Sequence, residues 1–350
     1  MPLASSIRFC HPMKRHILLF ISIVFMSMIY KECQGQSPEI SLREFASGQI
    51  KKGVRSIGMG GNGATWGNYS LVWRDSCTAL IDGGASSYPN NNIFGFTAVG
   101  ITTPHLWKGL TIYAIALSQT ADNIITTLKS PGLGTEPVQV NGDGANQAVF
   151  IKAAMPLGKG FSIGTLISYE RSQFDAVAEK GSGNWIRYQT NWRPSGGFGI
   201  TWQPCKQILV GFRGLFNNDW ETRIDNSGTA EGLNLTNEYR LGISIGLWKG
   251  ALIDLGGNAR FRSNQINKTN QENNEPNIGI EQNLLKHHLA IRAGLDESSP
   301  TAGFSIRFKP IVVDVAYVHN LGQARFGDLF GTNSDSFLLT LVYKYDTNRK

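Results

Sequence analysis

After residue 30 the chain has no uninterrupted apolar stretch of 18 or more residues, so no helix crosses a membrane downstream of that point. Cysteine is scarce: there are 4 in 350 residues, which excludes a small disulfide-stapled scaffold. Charge is low, at 17% of residues, and 41% are hydrophobic, so the chain is not disordered. No His/Cys/Asp/Glu spacing suits a metal, and His287-His288 reads as a solvated pair at a turn. The glycines of Gly53–Gly63 follow no strand and precede no βα period, so they are not a dinucleotide fingerprint. No nucleophile, base and orienter stand out as a triad, so no enzyme is indicated and no cofactor is implied.

What is present begins with an export signal. Lys14, Arg15 and His16 precede the run Ile17–Tyr30, which only two serines interrupt. Cys33-Gln34-Gly35 then offers small residues to a signal peptidase, placing the mature start at Gln36 and the signal peptide at 1–35. A start at Met13 would make that signal more compact. The signal carries Arg8, Lys14, Arg15 and Lys31 against Glu32, a net +3, so the overall +7 falls to about +4. That bias is too weak to indicate nucleic acid. Cys77 and Cys205 survive cleavage and have the option of pairing in an oxidising compartment.

The patterning is that of strands. In Thr301–His319, Ala302, Phe304, Ile306 and Phe308 share one face against Gly303, Ser305 and Arg307. After Lys309-Pro310, Ile311, Val313, Val315 and Tyr317 oppose Val312, Asp314, Ala316 and Val318, which makes a hairpin. The same period recurs in Val149–Met155, Phe161–Tyr169, Gly196–Trp202, Ile208–Phe216, Tyr239–Leu247, Ile253–Phe261, Leu289–Leu295 and Phe337–Tyr345. Leu241, Ile243, Ile245 and Leu247 alternate with Gly242, Ser244 and Gly246. Glycine and serine would make a poor outer surface for a water-soluble sandwich, but they suit the lumen of a barrel whose large residues face lipid.

Connections support this reading. Short turns at Leu157–Gly160, Pro204–Gln207, Trp248–Ala251, Leu284–His287 and Lys309-Pro310 alternate with longer polar linkers near 130–146, 171–190, 217–236, 264–276 and 320–334. Short turns on one rim and long loops on the other mark an outer-membrane barrel. Counting back from Tyr345 gives thirteen strands to Ile93, and an even number requires one more within 64–86, fourteen in all. Trp107, Trp202, Trp248, Phe308, Tyr343 and Tyr345 fall at one set of strand ends; Tyr169, Phe216, Tyr239, Tyr317 and Phe337 fall at the other. They form two interfacial girdles.

The fold expected is therefore all-β: an antiparallel up-and-down transmembrane barrel of about fourteen strands over 64–350, embedded in outer-membrane lipid. Residues 36–63 are not strand-like and form a separate segment. Inward parity belongs to Lys152, Glu170, Arg213, Asp254, Arg260, Arg262, Arg292, Arg307 and Asp314. Of these, Lys152, Arg213, Arg260, Arg292, Arg307 and Asp314 are the candidate cargo contacts; the competing explanation is mutual ion pairing in a watery interior. Arg292, Arg307 and Asp314 lie on successive strands and are expected to cluster.

Gly53–Ala64, GVRSIGMGGNGA, resembles the glycine-rich entry of the long-chain fatty-acid transporter (FadL-type) superfamily, to which PorV-type components of type IX secretion also belong. HHLAIRAGL, TAGFSIRFKPIVVDVAYVHNLG and SFLLTLVYKY are similar to its closing strands. The resemblance implies a fourteen-stranded barrel whose N-terminal segment folds inside as a hatch, with Gly58, Gly60 and Gly61 matching its tight glycine segment. It also implies either passage of hydrophobic or amphipathic small molecules or a non-conducting role beside secretion-system proteins. Asp82-Gly83-Gly84-Ala85 stands where the family has an Asn-Pro-Ala type turn.

Overall fold

The computed structural model describes residues 54–59, 61, 63–65, 68–69, 77–87, 93–102, 109–128, 138–178, 184–248, 250–265, 269–296, 299–320 and 334–345. The signal peptide and its cleavage site lie outside them. A five-residue helix, α1 (Val54–Gly58), precedes fifteen strands. These are β1 (Cys77–Ser87), β2 (Ile93–Thr102), β3 (Thr111–Leu128), β4 (Val138–Gly158), β5 (Phe161–Ala178), β6 (Trp185–Thr190), β7 (Arg193–Cys205) and β8 (Ile208–Asp225). They continue with β9 (Gly228–Gly246), β10 (Ala251–Asn264), β11 (Thr269–Leu284), β12 (Leu289–Asp296), β13 (Ser299–Phe308), β14 (Ile311–Asn320) and β15 (Ser334–Tyr345). Among the described residues no helix is long and apolar enough to span a membrane.

All the pairings are antiparallel, and each strand borders its sequence neighbour except β6 and β7, which do not pair with each other. The two ends of the chain also meet, Cys77 registering with Tyr345 and Ser87 with Asp335. β4 pairs with β3 and β5, and β5 and β8 each pair with both β6 and β7. β6 and β7 thus share one position, so the fifteen strands occupy fourteen places and the pairings return to their start. The strand inferred from parity within 64–86 is β1, ending one residue later.

The alternation runs as the side-chain pattern predicts. On β5, Ile163, Ile167 and Tyr169 are exposed while Ser162, Ser168 and Glu170 are buried. On β12–β14, Ile291, Phe304, Phe308 and Ile311 are exposed, whereas Arg292, Ser305 and Ala316 are buried. An apolar exterior around a more polar interior is the arrangement lipid demands, and a closed ring of strands lets neighbouring strands satisfy each other's backbone groups. β8–β10 differ in one respect: Ile208, Ile243 and Ile245 have outward parity yet are buried, with the partly buried Val210, Leu247, Ile253 and Leu255 packed against them. Register explains it, since Ile245 lies between Ile208 and Ile253, and Ile243 between Val210 and Leu255.

Where they are described, the long polar linkers near 130–146, 171–190, 217–236 and 264–276 are mostly strand, and nearly all of 320–334 lies outside the described residues. β8 and β9 run on to a turn at Asn226-Ser227, pairing Asn217 with Thr236 and Asp225 with Gly228. β8 has 18 residues, about 60 Å of strand at about 3.3 Å per residue. A tilted membrane crossing needs only about 9–11 residues, so the wall extends well past the bilayer on this rim. The outer girdle sits where the extension begins: Tyr169 stacks on Trp192 at 5.2 Å, Phe216 meets Tyr239 edge-on at 5.8 Å, and Tyr317 meets Phe337 at 4.9 Å. Near the short-turn rim Phe161 stacks on Trp202 at 5.6 Å.

Cys205, on β7, is a free thiol, so it forms no bridge with Cys77.

Candidate functional site

The candidate site is the inner wall of the ring and the segment seated against it. α1 packs on β12–β14. Its backbone turns sharply afterwards: the N–H groups of Met59 and Gly61 donate to the Ser56 carbonyl at 3.1 and 2.8 Å, and Gly63 N–H donates to Ser56 Oγ at 2.8 Å. Gly61 and Gly63 have φ of +65° and +67°, a region where side chains are strained. Among the described residues of the glycine-rich segment, these two are the ones with positive φ. Gly58 lies against Gly303, where an added Cβ would come within 3.3 Å of the Gly303 Cα. Gly60 is outside the described residues.

Inward glycines of the wall receive this segment. A Cβ on Gly279 would overlap the Met59 carbonyl, one on Gly211 the Ala64 carbonyl, and one on Gly199 the Asn68 amide. At Gly197 it would come within 2.7 Å of the Tyr69 ring. Glycine on the inner face thus has a second use beyond widening the lumen: it lets one backbone lie directly on another. Asn68 completes the contact, its amide nitrogen donating to the carbonyls of Ala64 (2.6 Å), Phe212 (2.9 Å) and Ile200 (3.3 Å).

Two charged clusters fasten the segment. In the first, Glu238 accepts from Arg213 at 3.1 Å, Arg240 at 2.5 Å and Arg260 at 3.1 Å. Arg240 also donates to the Gly61 carbonyl at 2.8 Å, and the Arg213 guanidinium lies 5.1 Å from the Tyr69 ring centre. In the second, Arg55 and Arg292 share Glu281, with Arg55 donating at 2.6 and 2.9 Å and Arg292 at 2.7 Å. Arg292 continues to Asp314 at 3.2 Å and to Ser305, which itself donates to Asp314. A third tie links Thr65 to Asp254 at 2.6 Å, and Ser244 donates to the same carboxylate. Charged groups buried this deeply need such partners.

Arg213 and Arg260 therefore belong to one cluster and Arg292 and Asp314 to the other. Lys152 stands apart, its ammonium 5.9 Å from the Tyr69 ring centre. Arg307 joins the Arg292–Asp314 cluster indirectly: it donates to Asn283 Oδ1 at 2.8 Å and to the His287 carbonyl at 3.4 Å, and Asn283 in turn donates to Glu281 at 3.1 Å. Periodicity had its own blind spots. Arg240 shares the parity of Gly242 and Ser244 and was one step of alternation away. Glu281 lies on β11, TNQENNEPNIGIEQNL, whose polar sequence hides a strand. Arg55 and Thr65 belong to irregular backbone, where no period exists to read.

Much of the inner wall of the other strands is apolar, interrupted by the buried polar residues Gln119, Asn146, Ser168, Glu170 and Ser172. Ile115, Leu117, Phe150 and Leu166 on β3–β5 join Val318, Leu338 and Val342 on β14–β15 in one buried cluster. The lumen thus has a charged side on β8–β13 and a greasy side on β15 and β2–β6.

A ring of fourteen antiparallel strand positions, apolar outside and with described residues of its N-terminal segment against the inner wall, is an up-and-down β-barrel of the kind that spans a membrane, the fold expected from the sequence. Solved structures with this fold include the toluene transporter TbuX of Ralstonia pickettii, at 13% identity over 84% of this chain and 98% of that one, with a TM-score of 0.56. The toluene transporter TodX of Pseudomonas putida is similar at 10% identity over 91% and 99%, with a TM-score of 0.54. The monoaromatic hydrocarbon channel CymD is similar at 13% identity over 83% and 96%, with a TM-score of 0.54. No protein-family model matches the sequence, and no curated protein aligns with it significantly.

Proposed function

We propose that this chain is an outer-membrane channel for small hydrophobic or amphipathic molecules, closed by an N-terminal hatch of residues 36–63 and exported with a signal peptide cleaved before Gln36. The carrying observation is the N-terminal segment on the inner wall: the Met59 and Ala64 backbone lies on wall glycines, Arg240 holds the Gly61 carbonyl, and Glu281 holds Arg55. Such a seat is a set of separable contacts rather than a covalent or continuous-sheet closure, so the segment is able to leave it. The greasy side of the lumen supports apolar cargo, and the hydrocarbon channels and transporters that share the fold support the same class. Arg213, Arg260, Arg292, Arg307 and Asp314 on the charged side, and Lys152 on β4 across from them, are the groups that a polar end of cargo would meet once the hatch moves.

Deletion of residues 37–63 is expected to raise single-channel conductance in planar bilayers and to speed toluene entry into proteoliposomes. Unchanged conductance in the deletion would reject the hatch. A stoichiometric protein partner retained in mild detergent, with no conductance in either form, would replace this reading by that of a secretion accessory.

A further inference from the structure

Gln119 on β3 and Asn146 on β4 are register partners on the inner wall, 2% and 0% exposed. The nitrogen and oxygen of both amides lack a hydrogen-bond partner among the described residues. Their row continues through Ser172 on β5, which registers with Asn146, and Thr190 on β6. Those two satisfy each other, with Ser172 N–H donating to Thr190 Oγ1 at 2.9 Å and the hydroxyls 3.0 Å apart. The amide pair is different. Toward the short-turn rim it meets the apolar wall, with Leu117 beside Ala148 and Ile115 beside Phe150. On the other side Phe174 registers with Tyr188, both buried. The row lies three residues beyond the outer girdle, because Val149 registers with Tyr169 and Asn146 with Ser172.

Two buried amides left unbonded on adjoining strands are unfavourable for the fold alone, and apolar residues of the same shape would serve packing better. Each amide presents one donor group and one acceptor, without charge. An anionic group would find its match among the arginines, but those engage Glu238, Glu281 and Asp314 on the opposite side. We propose that Gln119 and Asn146 form a polar subsite within the greasy side of the lumen, selecting an uncharged apolar molecule that carries a hydroxyl. The hydroxyl donates to one amide oxygen and accepts from the neighbouring amide nitrogen, while the apolar body lies on Leu117, Phe150 and Leu166. This rests on the channel reading above, since it requires cargo to enter the lumen.

The test uses phenol and toluene, which differ chiefly by hydroxyl against methyl. Binding of each to the purified full-length barrel in detergent is measured by calorimetry, for the wild type, Q119L/N146L and each single variant. Leucine replaces groups that no described residue bonds, so the folded, heat-modifiable form is retained, and the single variants carry the same test if the double does not fold. The expected result is a fall of about tenfold in the ratio of phenol to toluene affinity, with toluene binding preserved. An unchanged ratio with toluene still bound overturns the subsite and leaves the channel reading standing. Absence of binding by both molecules to the wild type overturns the channel reading, and the subsite with it.

Discussion

Arg55 and Glu281, 226 residues apart in sequence, are joined by two hydrogen bonds of 2.6 and 2.9 Å between a guanidinium and a carboxylate. The pair ties α1 to the wall, and Glu281 is simultaneously held by Arg292. Removing the carboxylate leaves two guanidinium groups facing each other, whereas removing Arg55 leaves a pair still matched by Arg292. E281Q is therefore expected to cost about 3–5 kcal/mol of stability, as loss of one partner of a buried ion pair does. R55A is expected to cost less, because Arg55 is 31% exposed. Denaturant titration of the heat-modifiable form ranks the two, and an equal loss would contradict the shared-carboxylate arrangement.

The wall glycines give a steric test of the seat. A side chain at Gly211 must displace the Ala64 backbone, and one at Gly279 the Met59 backbone. G211V and G279V are expected to leave the barrel folded but to open the inner segment to added protease and to increase conductance. G196A serves as the control, since its Cβ would meet nothing nearer than 3.8 Å. A protease pattern identical in all three would count against the close backbone contact.

Glu238 is the common acceptor for Arg213, Arg240 and Arg260. E238Q removes one negative charge from the midst of three positive ones, leaving more uncompensated positive charge inside the wall. The reversal potential of the hatch-deleted channel in a salt gradient is expected to move toward anion selectivity, and melting to begin at lower temperature. A reversal potential unmoved by E238Q would place this cluster off the conduction path.

The lipid-facing assignment is tested by charge. Ile167 is 55% exposed in the middle of β5. I167K is expected to destabilise the inserted barrel by about 2–4 kcal/mol, the penalty for lysine near the bilayer midplane. Q207K, on the short-turn rim, is expected to have almost no effect. Folding efficiency into lipid vesicles, read by gel mobility without heating, compares the two.

The transmembrane part of each strand was legible because lipid outside and a polar interior impose opposite demands on alternate residues. Ile163, Ile167 and Tyr169 against Ser162 and Ser168 show this without any structure. Parity of the crossings gave fourteen places and required β1 before Ile93. The extensions were not legible: β8 beyond Phe216 and most of β11 stand clear of the hydrocarbon, where neither face needs to be greasy, and their polar residues resemble loops. The break between Thr190 and Arg193 was equally hidden, since β6 and β7 occupy one place in the ring.

Sequence alone determined which side chains face lipid, how many times the chain crosses, and which basic residues point inward, because each follows from period two and the medium on either side. Only the tertiary structure decided what those inward residues touch. Glu238 gathers three arginines from β8, β9 and β10, Glu281 reaches Arg55 across most of the chain, and Gly211 and Gly279 admit a foreign backbone. Strand register and ring closure set these neighbours, and neither leaves a trace in the local order of residues.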